Sequence, residues 1–265
     1  MGTDSEWEQW GQRDPYYGVI THPKFRRDNF DETARSEFFE SGQCHVQHIL
    51  ATCRQQIDST FKPSRILDFG CGVGRLLIAF SAQAVQVVGL DVSDSMLSEA
   101  RRNCEEIGVR NVVLIKSDDD LTLLEGTFDM IHSTIVFQHI QPQRGLRLFA
   151  RLLGYLAPSG IGTIQITYAK AMYAPNLGAA PSTASLTVSN VWSNLSSTLK
   201  RFIINDLLSG FSYSRKDPEM QMNVYNLNQL MFIMQEIGIK RCYTEFTDHG
   251  GELGVFLYFQ RPHTP

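Results

Sequence analysis

A glycine-spaced turn is the first place in this sequence where residue types and spacing point to chemistry. The stretch ILDFGCGVGR (66–75) runs from a short apolar segment into glycines spaced G-x-G-x-G, which allow a backbone to approach a ligand closely. A dinucleotide site uses G-x-G-x-x-G, but Arg75 stands where its third glycine would be. Asp68 lies two residues before the first glycine, and a carboxylate there suits a cation better than a pyrophosphate. The three glycines are Gly70, Gly72 and Gly74.

S-adenosylmethionine is a ligand of the kind this turn favours, because it carries an ammonium and a sulfonium and no phosphate. Asp68 could receive the ammonium directly or through water. The glycines would let the backbone reach the methionine part without a clashing Cβ. The spacing therefore favours S-adenosylmethionine over NAD.

Further acids follow the next two apolar segments. Asp91 ends VVGLD and could accept both ribose hydroxyls, a contact that would suit NAD equally well. In KSDDDL, Asp118 or Asp119 could accept the adenine amine, and the alternative for each is a solvated loop. The other residues predicted to contact the cofactor are Cys71, Arg75, Val92, Met96 and Ser133.

The elements that must position these residues alternate along the chain. Apolar segments typical of strands are separated by segments whose apolar residues recur at three and four positions, as in amphipathic helices. This alternation predicts a parallel sheet with helices on both faces. The predicted strands are 65–69, 85–90, 111–115, 128–134 and 161–167, a helix is expected at 227–237, and 239–246 with 253–259 form a hairpin.

Four motifs in order carry a family resemblance: ILDFGCGVGR, VVGLDVSDSML, FDMIHSTIVFQHI and YLAPSGIGTIQI. Together they resemble the class I S-adenosylmethionine-dependent methyltransferases over about 60–170, and the resemblance resumes at 222–260. It implies a Rossmann-like α/β fold, with a seven-stranded, mostly parallel sheet in the order 3-2-1-4-5-7-6 and an antiparallel last strand. It also implies that Asp68 and the glycines line the methionine part, Asp91 the ribose and Asp118 the adenine.

The predicted organisation has four segments. Residues 1–60 form an N-terminal helical cap, 61–169 the cofactor-binding core, 170–221 a substrate insert, and 222–262 the helix and hairpin that complete the sheet. The insert ends in an amphipathic helix, LKRFIINDLL, and carries apolar residues that need burial. We expect it to fold with 1–60 into a cap over a small-molecule acceptor, and the alternative is a dimerisation arm that would make a homodimer.

Two histidines are candidates for the part of the site where the methyl group is transferred. Methyl transfer mainly requires alignment of a nucleophile, and a base is needed only if the acceptor must lose a proton. His139 follows the fourth strand and could be a general base or only a positioning residue. His132 lies within that strand, and packing is its main alternative.

Composition restricts the partners. The 265 residues are 43% apolar with a net charge of −4, which gives no basic footprint for nucleic acid and no attraction to an anionic membrane. Five scattered cysteines without a C-x-x-C pair indicate reduced thiols and a cytoplasmic protein, and no residue set predicts a metal.

The resulting hypothesis is a methyltransferase for a small molecule, with oxygen favoured because the asparagine-proline motif of amino-group enzymes is missing. An RNA or N-methyltransferase and a non-catalytic cofactor-binding partner protein stay open, while Arg75 disfavours an NAD-dependent oxidoreductase.

Overall fold

A seven-stranded sheet organises the computed structural model, which describes residues 3–172 and 217–263. The strand order is β3-β2-β1-β4-β5-β7-β6. Strands β1 to β5 pair in parallel, while β7 runs antiparallel to both of its neighbours, so the predicted fold is confirmed. The strands are β1 Arg65–Phe69, β2 Gln86–Asp91, β3 Val112–Lys116, β4 Phe128–Ser133, β5 Leu156–Lys170, β6 Cys242–Asp248 and β7 Glu252–Gln260.

The central strands are apolar on both faces because helices cover the sheet on both sides. Ile66 and Leu67, which are neighbours on β1, are both fully buried but belong to different core clusters, one for each face. Strand β5 is longer than the predicted 161–167, because it pairs with β4 on one side and follows β7 as far as Lys170 on the other.

Seven α-helices lie among the described residues, and three of them begin at a side chain that caps the helix. The side chains of Asp31, Ser93 and Asn226 accept backbone N–H groups at the starts of α3, α5 and α7. The helices are α1 Thr3–Arg13, α2 Pro15–Val19, α3 Glu32–Thr52, α4 Arg75–Ser81, α5 Asp94–Ile107, α6 Pro142–Tyr155 and α7 Leu227–Glu236.

The described part of residues 1–60 is helical and packs against the core through aromatic side chains. Tyr16 stacks on Phe30 with ring centroids 3.9 Å apart, and its hydroxyl donates to Glu99 on α5. Helix α3 approaches α4 so closely that a Cβ added to Gly42 would lie 2.5 Å from the carbonyl oxygen of Arg75.

The C-terminal segment returns to the core as the sequence predicts, with α7 followed by the β6–β7 hairpin. Just before α7, the Tyr225 hydroxyl donates to the carbonyl of Ile140 and occupies the space beside Gly145 on α6, where a Cβ would meet it at 1.9 Å. Most of the predicted insert 170–221, including LKRFIINDLL, lies outside the described residues. None of the helices described is long and apolar enough to cross a membrane.

Candidate functional site

A cavity lies at the carboxyl ends of β1, β2 and β4, the edge at which open α/β sheets bind ligands. It encloses about 990 Å³ of empty space, counting its open mouth. Its wall contains these predicted residues: Asp68, Gly70, Cys71, Gly72, Arg75, Asp91, Val92, Met96, Asp118, Asp119 and His139.

The glycine turn is shaped by backbone conformations and close approaches that side chains would block. Gly70 and Gly72 have φ of +78° and +52°, and a Cβ on Gly70 would lie 2.3 Å from Val136. Gly72 lies under Val19 of α2, whose Cγ2 would be 2.8 Å from an added Cβ. Gly74, predicted to contact the cofactor, is not part of the cavity wall; with φ +88° it caps the start of α4.

Asp68 and Arg75 place opposite charges in the cavity wall, and each side chain has one atom without a hydrogen-bond partner. Asp68 is 2% exposed and Arg75 8% exposed. Asp68 Oδ2 and Arg75 Nε are buried without a hydrogen-bond partner. Burial raises the pKa of Asp68 to about 7, partly offset by Arg75, and burial lowers the pKa of Arg75 to about 10.

Asp91 joins the end of β2 to the glycine turn. One carboxylate oxygen accepts the Gly72 N–H at 2.9 Å, and the other accepts the Ser93 N–H at 2.9 Å. Burial raises the pKa of Asp91 to about 6, although these backbone hydrogen bonds act in the opposite direction. A carboxylate has about four acceptor sites, so lone pairs remain for further donors.

The loop after β3 uses its acids within the protein. Asp118 is exposed, and its oxygens accept from the backbone of Asp120 and from the backbone and hydroxyl of Thr122. Asp119 pairs with Arg144 of α6 at 2.6 Å. Both acids lie at the cavity, but their carboxylates shape and anchor the loop, so contact with adenine stays a prediction.

His132 and Ser133 were predicted site residues, and the structure brings neither to the cavity wall. His132 is fully buried, with Nδ1 2.8 Å from Thr163 Oγ1 and Nε2 3.2 Å from His45 Nε2. Burial, with His45 and Arg75 nearby, holds the pKa of His132 well below its ordinary value. The Ser133 hydroxyl donates to the carbonyl of Phe69, so it joins β4 to β1.

His139 does lie in the cavity wall, in a 3₁₀ turn at Phe137–His139. Its Nδ1 is 2.8 Å from the carbonyl of Gln221, and its Nε2 is 3.3 Å from the amide nitrogen of Gln138. Its ring meets Trp7 edge-on, with centroids 4.9 Å apart. Burial lowers the pKa of His139 to about 4, and both ring nitrogens are engaged, which does not favour a general base.

The N-terminal segment supplies residues of the cavity wall that the sequence did not predict. Arg144 of α6 is a further wall residue that was not predicted. Arg144 also pairs with Asp4 of α1 through two hydrogen bonds of 2.6 and 2.8 Å. Tyr16 and Tyr17 of α2 do not line the cavity, and no sequence motif marks the residues that do. These are Thr3, Asp4, Trp7, Gly18 and Val19.

The thiols and acids do not form a metal centre in the part of the chain that the structure describes. No group of three or more potential ligands comes together there, and all five cysteines are free. Cys71 lines the cavity, but burial raises the pKa of its thiol well above the ordinary value, so it is not a reactive thiolate.

Comparison with known proteins agrees with this fold and motif order. Residues 66–160 match the family described as a methyltransferase domain. The ubiquinone biosynthesis O-methyltransferase of Coxiella burnetii is 28% identical over 130 residues, 47% of this chain and 55% of that protein. A 23S rRNA (uracil(1939)-C(5))-methyltransferase of Burkholderia pseudomallei is 31% identical over 108 residues, 38% of this chain and 22% of that protein. The chain thus spans about half the length of the first relative and about a fifth of the second.

Among solved structures, magnesium protoporphyrin IX methyltransferase from Synechocystis PCC 6803, with bound S-adenosylhomocysteine, is similar over most of its length. The TM-score is 0.55, and the match covers 92% of this chain and 99% of that one at 18% identity. At this identity the likeness concerns the fold.

Proposed function

Because residues 66–160 match a methyltransferase domain family and the sheet has the strand order β3-β2-β1-β4-β5-β7-β6, we propose that the chain is a class I S-adenosylmethionine-dependent methyltransferase, which binds S-adenosylmethionine and transfers its methyl group to a small molecule. The cofactor would occupy the cavity at the carboxyl ends of β1, β2 and β4.

One observation carries the proposal: two buried, oppositely charged side chains in the cavity wall each have an atom without a partner. Asp68 Oδ2 would accept the ammonium of the methionine part, and Arg75 would face its carboxylate. A cation beside Asp68 would favour the ionised carboxylate, whose pKa burial raises to about 7. The chemistry of this pair therefore fits a ligand with an amino-acid end, whereas the Asp68 carboxylate would repel the pyrophosphate of NAD.

The ribose and adenine would extend from the glycine turn towards the β3 loop. Asp91 retains acceptor capacity beside its hydrogen bonds to Gly72 and Ser93, which supports a ribose contact. The apolar side chains of Val92 and Met96 lie in the same wall and would offer a surface for a flat ring.

S-adenosylmethionine would supply a methyl group that is already activated by a positive sulfur. The protein's contribution is then alignment and exclusion of water, and alignment alone can contribute roughly 7–11 kcal/mol. Trp7 and His139 would form part of the wall that aligns the acceptor, since their rings contact each other across the cavity's edge.

The proposal also specifies the acceptor: a small molecule that is methylated on oxygen. Helices α1 and α2 contribute wall residues above the glycine turn, which favours a small molecule over a duplex or folded RNA. Oxygen is favoured by the likeness to an O-methyltransferase of ubiquinone biosynthesis. The likeness to a 23S rRNA methyltransferase favours RNA as the second candidate acceptor, against the net charge of −4.

The proposed cap consists of residues 1–60 and 170–221, with 61–169 and 222–262 as the core. The wall residues contributed by α1 and α2 support the first half of the cap. A homodimer built through 170–221 is the competing arrangement, and light scattering on the full chain and on a chain with 175–215 replaced by a glycine-serine linker would separate them.

The proposed function is tested by binding first and by transfer second. Calorimetry should detect S-adenosylhomocysteine binding and no NAD binding; the opposite pattern would end the proposal. Labelled S-adenosylmethionine would then be supplied with a fractionated metabolite extract or with total RNA. Label in a metabolite fraction supports the small-molecule acceptor, and label in RNA alone contradicts it.

A further inference from the structure

A chain of polar side chains runs behind the cavity wall and ends on His139. The N–H of Ile135 donates to Gln165 Oε1 at 3.1 Å, and Gln165 Nε2 lies 3.5 Å from Thr167 Oγ1. The Thr167 hydroxyl donates to Gln138 Oε1 at 2.9 Å, and Gln138 Nε2 lies 3.3 Å from His139 Nε2. We call Gln165, Thr167 and Gln138 the polar relay.

The direction of the relay is fixed at both ends by backbone groups. At one end the Ile135 N–H can only donate, so Gln165 must offer its oxygen there and its amide hydrogens to Thr167. At the other end the Gln221 carbonyl can only accept, so His139 Nδ1 must carry a proton. The hydrogen bonds between these ends then leave His139 Nε2 as an acceptor from Gln138.

The relay also supports a strained part of the wall. Ile135 has φ of +58°, a left-handed conformation that is costly for a β-branched residue. Its neighbour Val136 occupies the space beside Gly70, so this turn and the glycine turn interlock. Gln165 is fully buried, and Gly254 on β7 leaves room for its amide, because a Cβ there would lie 2.4 Å from Gln165 Nε2.

We propose that Gln165, Thr167 and Gln138 are positioning residues, which hold the Ile135 turn against the cofactor site and keep His139 as a neutral Nδ1–H tautomer. The inference rests on the proposed function for the identity of the cofactor. Its consequence for the reaction is that His139 presents a ring to the cavity and has no free lone pair with which to deprotonate an acceptor.

Nitrogen-15 NMR of the histidine side chains tests the relay without an acceptor. In the wild-type protein His139 should show a protonated Nδ1 and an unprotonated Nε2 at neutral pH, with the signals assigned by their loss in His139→Gln. Thr167→Val keeps the shape but removes the donor to Gln138, so the Gln138 amide is free to turn its oxygen towards His139. The His139 Nε2 signal should then shift towards the protonated form. Unchanged His139 signals in this variant, or an Nε2–H tautomer in the wild type, would overturn the proposal.

Thr163→Val is the matched control. Thr163 is on the same strand and equally buried, but its hydroxyl contacts His132 and lies outside the relay. It should change the His132 signals and leave those of His139 in place. Gln138→Glu is a second route should Thr167→Val fold poorly. A carboxylate there accepts instead of donating, so His139 should become doubly protonated, and a neutral His139 in that variant would contradict the relay.

Calorimetry with S-adenosylhomocysteine separates this inference from the proposed function. Gln165→Met removes the acceptor from the strained turn, and affinity should fall by about fivefold or more. Unchanged affinity would contradict the positioning role of Gln165. If the wild-type protein does not bind S-adenosylhomocysteine at all, the proposed function fails, while the His139 tautomer remains a separate result.

Discussion

The two ends of the cavity use their acidic residues in opposite ways. At the glycine turn, Asp68 is buried and one of its oxygens has no partner. At the β3 loop, Asp118 is exposed, yet its oxygens are engaged by Asp120 and Thr122 of its own loop. An unpartnered buried carboxylate carries a desolvation cost that a ligand can relieve, whereas a satisfied exposed one has little to gain. We therefore expect the buried Asp68, and not the more accessible Asp118, to be the acid that gains most from a bound cofactor.

The largest effect is expected from Asp68→Asn, which keeps the shape and removes the charge that would face an ammonium. A hydrogen bond between charged groups contributes about 1.5–3 kcal/mol, so affinity for S-adenosylhomocysteine should fall about 10-fold to 100-fold. Calorimetry at neutral pH measures this, with circular dichroism to check the fold. An affinity within threefold of the wild type would show that the unpartnered oxygen does not face the ligand.

Replacing Asp91 should give the next largest loss of cofactor affinity, because this residue serves both the proposed ribose contact and the glycine turn. Asp91→Ala removes the proposed ribose acceptor and also the acceptor for the Gly72 and Ser93 N–H groups, so cofactor affinity should fall at least about tenfold. Asp91→Asn keeps one acceptor oxygen and should lose less. Equal losses in the two variants would show that both carboxylate oxygens are needed, and an unchanged affinity in Asp91→Ala would remove the ribose contact.

The burial of Asp68 should also affect how the unfolding free energy depends on pH. A carboxyl whose pKa rises on folding binds more protons folded than unfolded, so the unfolding free energy falls as pH rises between the two values. For Asp68 that window runs from 3.8 to about 7, and Asp91, at about 6, acts in the same direction. The contribution of Asp68 to stability without ligand should therefore fall across pH 4 to 7 by at most roughly 1.4 kcal/mol per pH unit, whereas His139 and His132, whose pKa values burial lowers, act in the opposite direction. Urea titrations should show that the unfolding free energy of Asp68→Asn rises relative to that of the wild type as pH rises; an identical pH dependence in the two proteins would mean that Asp68 does not titrate there.

Asp118→Ala should have the smallest effect on binding. Its carboxylate is engaged by Asp120 and Thr122, so affinity for S-adenosylhomocysteine should change by less than about threefold, while the melting temperature falls slightly as the loop loses its hydrogen bonds. A tenfold loss of affinity with an unchanged melting temperature would reverse the comparison and return Asp118 to the adenine contact.

The sequence predicted the sheet because its signals are local. The central strands are apolar segments bounded by turn residues, and the glycine turn is a motif of ten consecutive positions. Motif order was enough to bring Asp68 and Asp91 to one cavity, since both lie near the carboxyl ends of neighbouring parallel strands.

What the sequence could not supply depends on side-chain direction and on distant partners. Asp68 and His132 are paired in register on neighbouring strands, yet only Asp68 reaches the cavity, because His132 is held between Thr163 and His45. Arg144 and Asp4 are 140 positions apart, and no local sequence pattern predicts that they pair.

The close approach of Tyr225 to Gly145 has a consequence for sequence variation among relatives of this chain. The tyrosine hydroxyl occupies the place of the missing methyl on α6, and Gly145 is helical, so the glycine is required by its neighbour and not by its backbone. Substitutions at these two positions should therefore be coupled. A relative with alanine at the position of Gly145 is expected to carry a smaller residue at that of Tyr225. Replacing only Gly145 should lower the free energy of unfolding more than replacing Gly145 and Tyr225 together.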